Sequence, residues 1–216
     1  MGRLIEREPS TPLGLVGFSL GGNVTLKWLG ERGEGVPAQV RGAATISTPF
    51  DLTACAESLD RGLNRRLYTA RFLRSMKAKV RAKRDLYNGL VNVPAALRAR
   101  TFAVYDRLAT APINGFTDER DYWTRASCGP YLARIRRPCL LINAANDPFL
   151  PASTLPTTAV ADSPWLEAAF IPEGGHVGFL EGPLGRRSWA EHRAFAFLQR
   201  QFASTGECAL ESVGGP

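Results

Sequence analysis

Histidine is scarce in this chain of 216 residues: there are two, His176 and His192, so chemistry that needs an imidazole has two places to look. Long apolar runs are missing as well. No segment approaches the roughly 20 residues that a membrane-spanning helix requires, and the reading is of a soluble chain. The four cysteines, Cys55, Cys128, Cys139 and Cys208, lie far apart with no C-x-x-C pair. That argues against a zinc site or a disulfide framework and leaves buried or inert free thiols. "MGRLIEREPS" carries charges where a signal peptide needs its apolar segment, so the expected compartment is the cytoplasm. Acidic residues are nearly absent from one stretch. Between Arg61 and Arg107, 13 Lys or Arg stand against Asp85 and Asp106, a local excess of +11, while the remainder carries −4 and the whole chain +7. The basicity belongs to one segment without a nucleic-acid motif, so no nucleic-acid partner is expected; weak contact with an anionic membrane is compatible with it.

What is present alternates between two patterns. "PLGLVGFSL" is an apolar run that ends in glycines and reads as a short buried strand, and "GGNVTLKWLGERGEG" reads as a helix stopped by Gly33 and Gly35. Val40 to Thr48, "VRGAATIST", reads as another buried strand ending at Pro49, and strand, helix, strand is the unit of a parallel sheet. From 50 to 125 the pattern turns helical and basic, with Leu67, Phe72, Leu73, Met76 and Val80 at helix-like spacing. The strand pattern resumes with "RRPCLLINAAND" and with "WLEAAFIPEGGH", a strand ending near Ile171. "SWAEHRAFAFLQRQF" closes the core as an amphipathic helix anchored by Trp189, Phe195, Phe197 and Leu198. The predicted architecture is an α/β fold, with core pieces at 1–49 and 126–203, a helical insertion at 50–125, and a small, polar, disordered tail at 204–216.

Gly17-Phe18-Ser19-Leu20-Gly21 is a G-x-S-x-G pentapeptide between a predicted strand and a predicted helix, the setting of a nucleophile elbow. A serine hydroxyl becomes a useful nucleophile when a base takes its proton and a carboxylate orients that base. His176, in "PEGGHVGF" directly after the last predicted strand, points to the C-terminal edge of the sheet, whereas His192 lies within the closing helix and reads as a surface or packing residue. Asp147, in "NAANDPFLP", likewise follows its strand at once; Asp51 and Asp162 do not immediately follow a strand that would aim them at His176. Ser19, Asp147, His176 is the chain order of the α/β-hydrolase triad. The backbone N–H of Leu20, at the start of the helix, is the expected oxyanion donor. No cluster of metal-ligand spacing occurs, and neither a metal nor another cofactor is expected.

The words "GFSLGGN", "STPFDL", "GFTDERDYWTRAS", "NAANDPFLP", "GGHVGF" and the "SW" at Ser188, spread over Leu13 to Phe202, resemble the YheT-like hydrolases of the α/β-hydrolase superfamily. The resemblance implies a carboxylic-ester hydrolase acting on short- to medium-chain acyl esters, with acylglycerol or phospholipid chemistry in some relatives. It carries over Ser19 as nucleophile, Asp147 as orienting acid and His176 as base. It also implies that the 50–125 segment is a helical lid, with Phe72, Leu73 and Tyr87, beside Phe18, as substrate-contacting residues. In such proteins several strands precede the elbow, and a histidine-glycine loop there supplies a second oxyanion donor. No His-Gly word precedes Ser19. The chain is therefore expected to carry the triad and one oxyanion donor, and the alternatives are a truncated, inactive hydrolase fragment or a binder of anionic lipid or nucleic acid through the basic segment.

Overall fold

The computed structural model describes residues 2–87, 89–182 and 185–210. They fall into two compact units. The first takes in the described residues of 1–50, Cys128–Asp147 and 155–216. At its centre four parallel strands lie in the order β1 (Leu13–Phe18), β2 (Val40–Ile46), β3 (Cys139–Ala144) and β4 (Leu166–Ile171). Their register sets Phe18 beside Ile46, Ile46 beside Ile142, and Ala144 beside Ile171. All four strands therefore end at one edge, and that edge receives the loops after each of them.

β2 and β3 are central and almost wholly buried, as continuous apolar runs in a parallel sheet should be. β1 departs from the buried strand expected of its sequence. Among the described residues it pairs with β2 alone, its exposure alternates, and Val16 and Phe18 are 50% and 46% exposed. The helix Leu20–Arg32 buries Leu26 and Leu29 against the sheet, contributing about 1.5–3 kcal/mol for each side chain. On the other face the helix Trp189–Leu210 buries Ala190, Ala194, Phe197 and Leu198, the i, i+4, i+7, i+8 stripe of one helix face. Phe195 is off that stripe and 65% exposed, so it does not anchor the helix as its composition suggested. The helix also runs past 203 to Leu210, into the stretch expected to be a disordered tail; the rest of that tail, 211–216, is outside the described residues.

The second unit comprises Asp51–Ser127 and Pro148–Thr154. It is helical, as the pattern over 50–125 predicts. Its addition is the short segment after Asp147, because Phe149 and Leu150 pack with Leu59. Asp51 caps the helix Leu52–Leu59 by accepting from the N–H groups of Thr53 and Ala54 at 2.8 and 3.1 Å. Helix Ala70–Ala82 buries Leu73 and Val80 into a cluster with Ala96, Tyr105 and Ala109. Three acidic side chains hold this unit together. Asp106 accepts from Thr110 Oγ1 at 2.5 Å and from Trp123 Nε1 at 2.9 Å. Asp60 accepts from the N–H groups of Phe102 and Ala103 at 2.7 and 3.0 Å. Glu119 takes a two-pronged hydrogen bond from Arg107, which lowers its pKa. Burial raises the pKa of Asp106 and of Asp60, and pushes Tyr105 and Tyr122 up to about 12.

Candidate active site

Each of the four parallel strands delivers one residue or loop to the same edge of the sheet. Ser19 follows β1, Ser47 follows β2, Asn146 and Asp147 follow β3, and the Gly174-Gly175-His176 turn follows β4. Ser19 sits at φ 50°, in the left-handed region that a serine rarely adopts; such strain costs on the order of 1–3 kcal/mol and persists only where the surroundings impose it. Here the main chain imposes it. Ser19 N–H donates to Ile46 O at 2.8 Å, and Ser19 O accepts from Gly22 N–H at 2.9 Å, so the chain leaves a strand and enters a helix within one residue.

The steric demands of this turn fall on two glycines. A Cβ at Gly17 would stand 2.7 Å from Gly21 O and from Gly22 N and Cα, and a Cβ at Gly22 would stand 2.1 Å from Thr48 Oγ1. Gly21, the second glycine of the pentapeptide, has open space around it among the described residues. The requirement for a small residue after the serine therefore lies one position later than the G-x-S-x-G pattern implies.

Ser19, His176 and Asp147 form a continuous line of hydrogen bonds. His176 Nε2 is 2.9 Å from Ser19 Oγ, and His176 Nδ1 is 2.7 Å from Asp147 Oδ2. A carboxylate only accepts, so Nδ1 carries the proton and Nε2 is left as acceptor for the serine hydroxyl. The Asp147 side chain is fully buried and that of His176 partly buried. Leu20 is the first residue of the helix Leu20–Arg32, so its N–H lies at the positive end of the helix dipole. Asp51 is occupied as a helix cap, and Asp162 closes the short helix Thr157–Ala161. His192 lies 3.4 Å from Glu181 Oε1 on the surface. Among the described residues no group of three His, Cys, Asp or Glu is placed to hold a metal ion, and no helix is long and apolar enough to cross a membrane.

Of the residues expected to touch substrate, Phe18 belongs to the sheet unit and Phe72, Leu73 and Tyr87 to the helical unit. Phe18 lines an open groove of about 500 Å³ with Val16, Ile46, His192, Phe195 and Leu198. In the helical unit Leu73 is 2% exposed and packs within that unit's own core, and Tyr87 packs against the same cluster. Phe72 is 42% exposed, with its ring 5.9 Å from Phe149 and 6.1 Å from Phe102. Two residues of the edge escaped the sequence reading: Ser47, whose hydroxyl donates to the carbonyl of His176, and Asn146, whose Oδ1 accepts from Gly174 N–H at 3.0 Å and Gly175 N–H at 2.8 Å. The available signals were their position just behind strands and their place in the words "STPFDL" and "NAANDPFLP".

A profile of the alpha/beta hydrolase fold matches residues 3–183. The chain is 35% identical over 195 residues to YheT of Escherichia coli (strain K12), named as a candidate esterase, a match covering 88% of this chain and 56% of that protein. It is 31% identical over 187 residues to the human phospholipase ABHD3, covering 87% of this chain and 45% of that one. The chain thus spans about half the length of these curated relatives. Among solved structures, an esterase of Pyrococcus furiosus shares the fold at a TM-score of 0.50 and 16% identity, over 93% of this chain and 58% of that one.

Proposed function

The chain belongs to the α/β-hydrolase family, and from that premise we propose that it is a serine carboxylic-ester hydrolase that works through an acyl-enzyme. The observation that carries the reading is the unbroken line from Asp147 Oδ2 through the His176 ring to Ser19 Oγ. Ser19 Oγ attacks the ester carbonyl carbon as His176 Nε2 takes its proton. The same proton then goes to the departing alkoxide as the acyl–alcohol bond breaks. Water adds to the acyl-enzyme, giving its proton to Nε2, and Ser19 Oγ leaves with that proton. Asp147 holds the ring in the required tautomer and stabilises the imidazolium. The N–H of Leu20 donates to the developing oxyanion, a kind of contact worth on the order of 10²–10³ in rate.

Short- to medium-chain acyl esters, acylglycerols among them, are the proposed substrates, and the names of the relatives agree with ester cleavage. A fluorophosphonate probe, with a panel of p-nitrophenyl esters of graded length, tests the reading. The wild-type chain should take the label and Ser19→Ala should not; equal labelling of both would remove Ser19 as nucleophile. A wild-type chain that takes no label would favour the alternative, an inactive hydrolase fragment.

A second reading concerns the helical unit. Leu63, Leu67 and Leu86 are exposed, and the stretch of sequence that carries them, 61–86, holds ten Lys or Arg; exposed apolar side chains in a basic segment suit an anionic lipid surface. The chain should sediment with phosphatidylglycerol vesicles at low salt, less at high salt, and not with phosphatidylcholine alone. Equal sedimentation with both would overturn this contact.

A further inference from the structure

We propose that Ser47 and Asn146 are positioning residues that clamp the turn carrying His176, so that the site of the base is set by the two central strands of the sheet. The proposal rests on the hydrolase reading for its kinetic consequence and on geometry for its existence. The turn after β4 contains Gly174 and Gly175 in succession, and Gly175 sits at φ 57°. Two adjacent glycines have the largest conformational freedom a chain can have, which is a poor mount for a base that must stay within hydrogen-bond reach of Ser19. Three hydrogen bonds at three successive residues restrain it. Asn146 Oδ1 receives the N–H groups of Gly174 and Gly175, and the Ser47 hydroxyl donates to the carbonyl of His176 itself.

Both clamps have rigid footings. Ser47 is completely buried at the end of β2, and its N–H donates to Ile142 O of β3 at 2.8 Å. The N–H of Asn146 donates to Pro172 O at 3.2 Å, tying the end of β3 to the start of the turn. Ser47 also holds φ at 53°. Glycine would adopt that backbone without strain, so what serine adds at this position is the hydroxyl. The clamp accounts for a strained, buried serine that the catalytic line itself does not use.

Ser47→Gly separates the two roles, because it relieves the strain and removes the hydroxyl. We expect it to keep or raise the thermal midpoint while kcat for a soluble p-nitrophenyl ester falls roughly ten- to a hundred-fold at unchanged KM, the scale of a misplaced catalytic group. Asn146→Ala should lower kcat similarly. Asn146→Asp keeps an acceptor for the two glycine N–H groups, so it should recover most of kcat and move the acid limb of the pH profile upward, since a second carboxylate favours the imidazolium. Wild-type kcat in both Ser47→Gly and Asn146→Ala would overturn the clamp. If the wild-type chain neither turns over ester nor takes the fluorophosphonate label, the hydrolase reading fails and the clamp is decided by NMR. Loss of the low-field His176 Nδ1–H resonance in Ser47→Gly and Asn146→Ala supports it, and an unchanged resonance in both overturns it.

Discussion

Asp147 in the sheet unit and Asp106 in the helical unit are both buried carboxylates with short hydrogen bonds, and they differ in what they face. Asp147 faces the imidazole of His176, a group that can gain and lose a proton and that touches a second reactive side chain. Asp106 faces the Thr110 hydroxyl and the Trp123 indole N–H, donors with no proton to trade near neutral pH. Depth of burial and shortness of contact therefore do not mark a catalytic carboxylate. What separates the two is the partner: the imidazole beside Asp147 can titrate and has the Ser19 hydroxyl on its far side, which is the arrangement the proposed mechanism requires.

Exchanging each carboxylate for its amide is the strongest way to break this comparison. Asp147→Asn should lower kcat by on the order of 10⁴, because the amide favours the wrong imidazole tautomer, whereas Asp106→Asn should leave kcat and KM at wild-type values. Steady-state ester hydrolysis checks both, and comparable losses would erase the distinction. A smaller effect comes from the partner. Trp123→Phe removes the indole donor and leaves the buried carboxylate short of a hydrogen bond, a loss of about 1–3 kcal/mol of stability, measurable by urea denaturation, with activity retained.

The smallest effect is a pH dependence. Burial raises the folded-state pKa of Asp106 above its ordinary 3.8, so the folded chain binds this proton more tightly than the unfolded chain. Its contribution to stability is full below 3.8 and is lost as pH rises through the raised folded value. Asp106→Asn lacks that loss. The thermal midpoint of the variant minus that of the wild type should accordingly increase from pH 3.5 to pH 8. A difference that stays level would mean that Asp106 carries no cost of buried charge.

That Ser19, Asp147 and His176 meet at one sheet edge was legible because the rule that brings them together is topological. Once three strands and their order are read from apolar runs, the residue after each strand is placed at the same edge without knowledge of any contact. Ser47 and Asn146 obey the same rule but were not legible, since a hydroxyl or an amide directed at backbone groups has no distinctive residue type. Phe72 and Leu73 show the same limit on a helix. Adjacent and both apolar, they differ in exposure through the packing of Val80, Ala96 and Tyr105, which helical spacing does not resolve. β1 was found with its ends nearly right but its burial wrong, because an apolar run carries no information about how many neighbours a strand acquires.

The close approach of Gly22 to Thr48 bears on how chains of this kind are found and redesigned. A pattern search keyed to the pentapeptide weights position 21, where the backbone has room, and ignores position 22, where it has none. A library around Ser19 could start at codon 21, where a Cβ has room, while holding 17 and 22, where it does not.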